Sequence, residues 1–392
     1  MNHGPGRAPP PPRPRGRDPP RRTRGAGRDL RLLPKAHLHV HLESTVRPET
    51  VRELGGPPEP EGAFTSFREF ADQRAKVRGL LRTPEHFRRI ALEFCEDEAA
   101  QGTRYAEVTF TAASHGERVG RLEMPLEAVL DGLAEGEARF GVRSRVLLDH
   151  SRRRPVERLW RTYELATRYD EVIGIGLAGD ESHPLAPFAE VFGAAADAGL
   201  HLVHHAGESA GAASIREALD LGRTERLGHG IRVLDDEALV ARVRESGIAL
   251  EVCPTSNVLL GLVPSLADHP LPRLRAAGLR VTINTDGETA LADEYARLRE
   301  VFGYGDDVLA ELARASIEAS FAPRDLVAAL LAEVDAWSST PTPASTASSE
   351  GGSGGGSEGE VGGEVGAGGG SGHRPGNASP GRSGGGSGNT PV

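Results

Sequence analysis

Apolar residues recur along this chain in two rhythms. Short alternating or continuous runs at Leu32–His41, Arg104–Phe110, Ser144–Leu148, Val172–Leu177, His201–His205, Arg226–Leu227, Ala249–Val252 and Arg280–Asn284 read as strands. Longer stretches between them repeat apolar residues at helical spacing. Glu85–Ala100 places Phe87, Ile90, Ala91 and Phe94 on one face, and Leu185–Ala198 is similarly amphipathic. Asp307–Phe321 and Arg324–Trp337 close the pattern, the latter with Leu326, Val327, Leu330, Leu331 and Val334 on one stripe. Strand–helix alternation implies parallel strands joined by crossover helices. Eight such pairings predict an α/β chain folded as a (β/α)8 TIM-type barrel. The sixth strand is the weakest of the eight, since it has almost no apolar content.

The rhythm stops at both ends. Residues 1–28 are dominated by Pro, Gly and Arg, with eight arginines against the single acidic residue Asp18. Residues 338–392 are almost wholly Gly, Ser, Pro, Thr, Ala and Glu. Neither end has enough apolar side chain to offset the entropy of ordering its backbone, so both read as disordered tails around one barrel domain at 29–337. The basic N-terminal tail masks a core more acidic than the whole-chain charge of −10. Such a core lacks the clustered Lys and Arg that phosphate backbones require, which argues against a nucleic-acid partner. Cys95 and Cys253 make no disulfide framework. Arg21-Arg22 is followed by no apolar stretch and so marks no export signal. No run is long enough to span a membrane, and a cytoplasmic location is expected.

In such a barrel the chemistry sits at the C-terminal ends of the strands. There the chain carries His37-Leu38-His39-Val40-His41, His204-His205 leading to Glu208, Gly228-His229-Gly230 and Asn284-Thr285-Asp286. Residues i and i+2 of a strand face one side, so His39 and His41 can converge on one ion, and alternation alone leaves His37 on that face as well. A histidine from strand five and a carboxylate from strand eight would complete three neutral nitrogens and one anionic oxygen, a set suited to Zn²⁺ and a water. Each residue has a plainer reading: a lone strand histidine is usually a core or surface residue, Asp286 could cap a helix, and Glu208 could be an ordinary loop carboxylate. Convergence at four strand ends favours a metal site. His204 is out of phase with His205 and should face away.

Five segments in order, Leu33-Pro34-Lys35-Ala36-His37-Leu38-His39-Val40-His41-Leu42, His205-Ala206-Gly207-Glu208, Leu227-Gly228-His229-Gly230, Glu251-Val252-Cys253-Pro254-Thr255-Ser256-Asn257 and Asn284-Thr285-Asp286, resemble the motifs of the adenosine deaminase family. The resemblance implies a hydrolytic deaminase acting on a small purine nucleoside. It implies one zinc per chain, held by His39, His41, His205 and Asp286, with His37 outside the ligand set. Two-metal relatives carry a lysine at the end of strand four, and this chain has none. The same carry-over makes Glu208 the acid that protonates purine N1. It makes His229 the group that orients and deprotonates the attacking water. Gly179, in Leu177-Ala178-Gly179-Asp180-Glu181, would let its backbone amide approach purine N3. Glu43, Ser256 and Gly287 complete the expected substrate-binding positions. Phe64, Phe67 and Phe70 fall where the family has a lid, although their spacing fits a packed helix equally.

The chain departs from the family near the substrate. A second aspartate that usually follows Asp286 and meets purine N7 is Gly287, the loop before Asp293 is shorter, and a glycine expected after Glu43 is Ser44. Adenosine is therefore expected to be a weak substrate. Two alternatives accompany this reading: a deaminase for a different adenine-derived compound with a modified sugar, and a catalytically weak zinc-binding paralogue. The His-x-Glu and Pro-Cys-x-x-Cys signature of cytidine-type deaminases is absent. The oligomeric state is left open.

Overall fold

The computed structural model describes residues 27–58 and 67–340, of which 67–72 by their backbone. Eight parallel strands run in sequence order: β1 (Lys35–His41), β2 (Thr103–Phe110), β3 (Arg143–Ser151), β4 (Val172–Ala178), β5 (His201–Ala206), β6 (Arg226–His229), β7 (Ala249–Val252) and β8 (Val281–Ile283). Each pairs with the next, from β1 with β2 through β7 with β8. Closure between β8 and β1 needs a side chain. Asn284 Oδ1 accepts from the N–H groups of Leu38 and His39 at 2.8 and 3.1 Å. Past it, Asp286 N–H donates to His39 O at 3.1 Å. The (β/α)8 barrel predicted from the rhythm is the fold.

Helices cover the outside, among them Pro84–Ala100, Met124–Phe140, Val156–Ala166, Asp306–Ala319 and Arg324–Ser339. The predicted face of Phe87, Ile90, Ala91 and Phe94 is buried. Two boundaries differ for local reasons. β1 begins at Lys35 and not Leu32, because Pro34 offers no N–H to the ladder and Leu32 is 66% exposed. The predicted helix at Leu185–Ala198 opens with a separate 3₁₀ turn, Ala186–Phe188, ahead of Ala189–Asp197.

The weak sixth strand is explained by what it buries. Arg226 is 2% exposed, and its guanidinium pairs with Glu107 of β2 and with Glu251 of β7, the latter at 2.5 Å. It also lies 3.8 Å from the Phe321 ring centroid. β6 is polar because a paired charge fills that part of the interior, and buried charges persist only when paired.

The tails fall largely outside the described residues, as do Phe64 and the rings of Phe67 and Phe70. The described part reaches past 29–337: Arg28 pairs with Asp306 at 3.1 Å, donates to Ser338 O at 2.8 Å and stacks over Trp337.

Candidate active site

The strand ends bring the expected ligands together. His205 Nε2 lies 3.1 Å from both His39 Nε2 and His41 Nε2. Asp286 Oδ1 lies 3.3 Å from His41 Nε2 and 3.6 Å from His39 Nε2. With metal–ligand bonds of about 2.0–2.1 Å, the edges of a zinc tetrahedron measure about 3.3 Å. These spacings match it. His229 joins the group, since His39, His205, His229 and Asp286 each place one ligand atom within 4.8 Å of the others. The distances favour His41 over His229 as the fourth ligand. The donor set fits zinc, and His229 Nε2 is buried and without a hydrogen-bond partner among the described residues.

Outer partners aim these ligands. His39 Nδ1 meets Glu251 Oε2 at 2.8 Å, and Ser256 Oγ donates to Asp286 Oδ2 at 2.7 Å. A metal-bound histidine is ordinarily oriented by such a carboxylate. His229 and Asp286 both hold φ at +61°, a left-handed backbone unusual for non-glycine residues and characteristic of functional positions.

His37 does not share the face of His39. The β1–β2 register slips between His37 and Val40, and this bulge breaks the alternation. His37 Nδ1 instead meets Glu98 of an outer helix at 3.0 Å, and its Nε2 lies 3.1 Å from Thr285 Oγ1. His204 faces away as expected, onto Gly222 O and the Phe192 ring.

A cavity of about 390 Å³ opens from His41, His205 and Asp286, with Glu43, Ser44, Arg78, Asp149, Gly179, Glu208 and His229 on its wall. Burial, then the charges of Asp286 and Glu181, hold the Glu208 carboxyl well above the carboxylate range. Glu181 also fixes the loop by accepting the N–H groups of Gly207 and Glu208 at 3.0 and 2.9 Å. Burial works against ionisation of Glu43 too, but its bonds to His115 and Thr111 and the nearby Arg78 outweigh it and bring the pKa to about 2. Thr111 N–H and His115 Nε2 both meet Oε1, at 3.1 Å each.

Gly179 lines the cavity at φ +92°, where a side chain is disfavoured, so its backbone is left accessible. Gly287 sits differently from the expectation. A Cβ there would lie 2.5 Å from Ser44 Cβ and 3.1 Å from His41 O. Two of the departures noted in the sequence are therefore one: Ser44 occupies the room a side chain at 287 would need. Asp149, at the end of β3, escaped the sequence reading. Its side chain is 8% exposed, Oδ2 lies 3.9 Å from His41 Nδ1, and Oδ1 has no hydrogen-bond partner among the described residues. The rule that drew attention to the ends of strands one, five, six and eight would have found it at strand three.

A buried carboxyl held above the carboxylate range, beside three histidines and an aspartate at the mouth of a parallel barrel, defines the class: a metal-type aminohydrolase. Residues 34–337 match the adenosine deaminase family, and the chain belongs to it. An adenine deaminase of Cupriavidus necator is 36% identical over 339 residues, covering 81% of this chain and 96% of its own. The crystal structure of an adenine deaminase from Arthrobacter aurescens superposes with a TM-score of 0.74 at 34% identity, covering 78% of this chain and 99% of that one. An amidohydrolase from Burkholderia ambifaria, with bound Zn, gives 0.70 at 26% identity, covering 79% and 92%. This chain is thus a hydrolytic deaminase of adenine-derived compounds. Among the described residues no helix is long and apolar enough to cross a membrane.

Proposed function

We propose that the protein removes the C6 amine of a 6-aminopurine as ammonia, using one zinc ion held by His39, His41, His205 and Asp286. Glu208 carries the reading. An ordinary carboxyl would be ionised at neutral pH, whereas this one is buried among acidic neighbours that favour its protonated form. Addition of water at C6 disrupts the aromatic ring, and a proton delivered to N1 makes that carbon electrophilic and takes up the developing charge. Glu208, buried on the cavity wall with a raised pKa, supplies that proton in this reading. His229 Nε2 lies 3.6 Å from Glu208 Oε1, on the same wall, where it can orient the attacking water. A zinc bound among the four ligands would lower the pKa of a water and supply the nucleophile near neutral pH. Collapse of the tetrahedral adduct breaks the C6–N bond; of the two protons of the attacking water, one leaves with the amine as ammonia and the other restores the Glu208 carboxyl.

Similarity to adenine deaminases favours the free base as substrate. A cavity of about 390 Å³ also leaves room for a group on N9, and Glu43, ionised with Oε2 outside the bonds just described, can accept from a hydroxyl or a ring N–H. The backbone of Gly179 serves the base. The hydroxyl of Ser256 serves Asp286. The test is ammonia release from adenine, adenosine and adenine nucleosides with altered sugars, coupled to elemental analysis. Metal-replete wild type should hold near one zinc per chain and His205→Ala near none. Two metals per chain would refute the ligand assignment, and no ammonia from any 6-aminopurine would refute the reaction.

A further inference from the structure

His229 turns Nε2 to the cavity and Nδ1 to a buried hydrogen-bond chain that starts at a backbone amide. Leu271 N–H donates to His269 Nδ1 at 3.1 Å. His269 Nε2 lies 3.1 Å from Asn257 Oδ1, and Asn257 Nδ2 lies 3.2 Å from His229 Nδ1. The three side chains belong to residues no more than 3% exposed.

A backbone N–H only donates, so every later bond has a forced direction. His269 Nδ1 must accept. Burial lowers the pKa of His269 to about 4, so its ring is neutral and its single proton is on Nε2. That N–H donates to Asn257, which turns the amide with its oxygen to His269 and its NH₂ to His229. His229 Nδ1 accepts from the NH₂. A neutral His229 then has its proton on Nε2, the atom facing Glu208 and the ligand cluster.

We propose that His269 and Asn257 are positioning residues that lock His229 in its Nε2–H tautomer, so that in the resting enzyme His229 offers a hydrogen-bond donor to the reacting oxygen and does not accept its proton. The proposal rests on the reading of His229 as the group beside the attacking water. It keeps the orienting half of the role implied by the family resemblance and removes the deprotonating half.

The test is nitrogen-15 NMR of the histidine rings in full-length, zinc-loaded protein, with His229 assigned by loss of its signals in His229→Gln. The wild type should show Nε2 protonated and Nδ1 bare. In Asn257→Asp an ionised carboxylate accepts at the same place and draws the proton to Nδ1. The wrong tautomer in a serine-protease triad costs about 10⁴ in kcat, so a fall of about a thousandfold or more is expected here. His269→Gln should keep the Nε2–H signature, because an amide N–H can donate in place of the imidazole. An Nδ1–H wild type would overturn the proposal. So would Asn257→Asp with a reversed ring and kcat within about threefold of wild type, which is what a proton-accepting His229 requires. If Asn257→Asp does not fold, the spectra of the wild type and His269→Gln still decide. If the wild type turns over no 6-aminopurine, the functional reading fails while the spectrum still tests the lock.

Discussion

Restoring aspartate at position 287 by itself should damage this protein and not improve it. Gly287 holds φ at +93°, and its missing Cβ would fall 2.5 Å from Ser44 Cβ. Forcing extra atoms into a packed site costs about 1–3 kcal/mol. A left-handed backbone adds roughly 1–2 kcal/mol for a residue with a Cβ. Gly287→Asp should therefore lose about 2–5 kcal/mol, and at roughly 2–4 °C per kcal/mol its Tm should drop by roughly 4–20 °C. Ser44→Gly removes the obstructing atoms, at the cost of about 0.5–1 kcal/mol for a more flexible backbone. The double variant should then be more stable than the sum of the singles by about 1–3 kcal/mol, the coupling expected of residues in contact. Denaturant unfolding of the four proteins measures this, and kcat/KM for adenosine provides the functional arm. Wild type should fall below roughly 10⁵ M⁻¹s⁻¹, at the low end of the usual enzyme range. The double variant should gain about tenfold or more over Gly287→Asp. Additive stabilities, or a single Gly287→Asp as stable as wild type, would refute the reasoning.

Further outcomes follow from the same geometry. Glu208→Gln should fold and keep its metal but lose about 10²–10⁴ in kcat, since glutamine has no carboxyl proton to deliver; near-normal turnover would show that Glu208 is not the acid. Because the Glu208 pKa is raised in the folded state, its protonated form stabilises the fold below the ordinary carboxyl pKa. That stability is lost as pH rises through the raised value. Activity should decline as pH rises through that same value, and above it Glu208→Gln should unfold at a higher temperature than wild type. Asp149→Ala should hold or raise Tm, because a buried carboxyl oxygen without a partner opposes folding; a clear loss of Tm together with zinc would mean that Asp149 braces His41. A chain trimmed to residues 27–340 should keep its activity and melting temperature, whereas trimming to 29–337 removes the Arg28 contacts with Asp306 and Ser338 and should melt lower.

The sequence by itself determined the barrel, because period-two and period-3.6 apolar patterns follow from strand and helix geometry and need no distant partner. It also marked the candidate ligands, since residue type at a strand end is written locally, while the choice of His39 and His41 over His37 came from the family resemblance. Tertiary structure decided what depends on residues far apart in the chain. Alternation put His37 beside His39, but a bulge set by pairing with β2 turned it to Glu98. The polarity of β6 made sense only once Arg226 was seen between Glu107 and Glu251. Ser44 and Gly287 are separate departures along the chain and a single contact in space. His229 could be given its proton only through Asn257 and His269, residues whose roles arise from a hydrogen-bond direction fixed at the amide of Leu271.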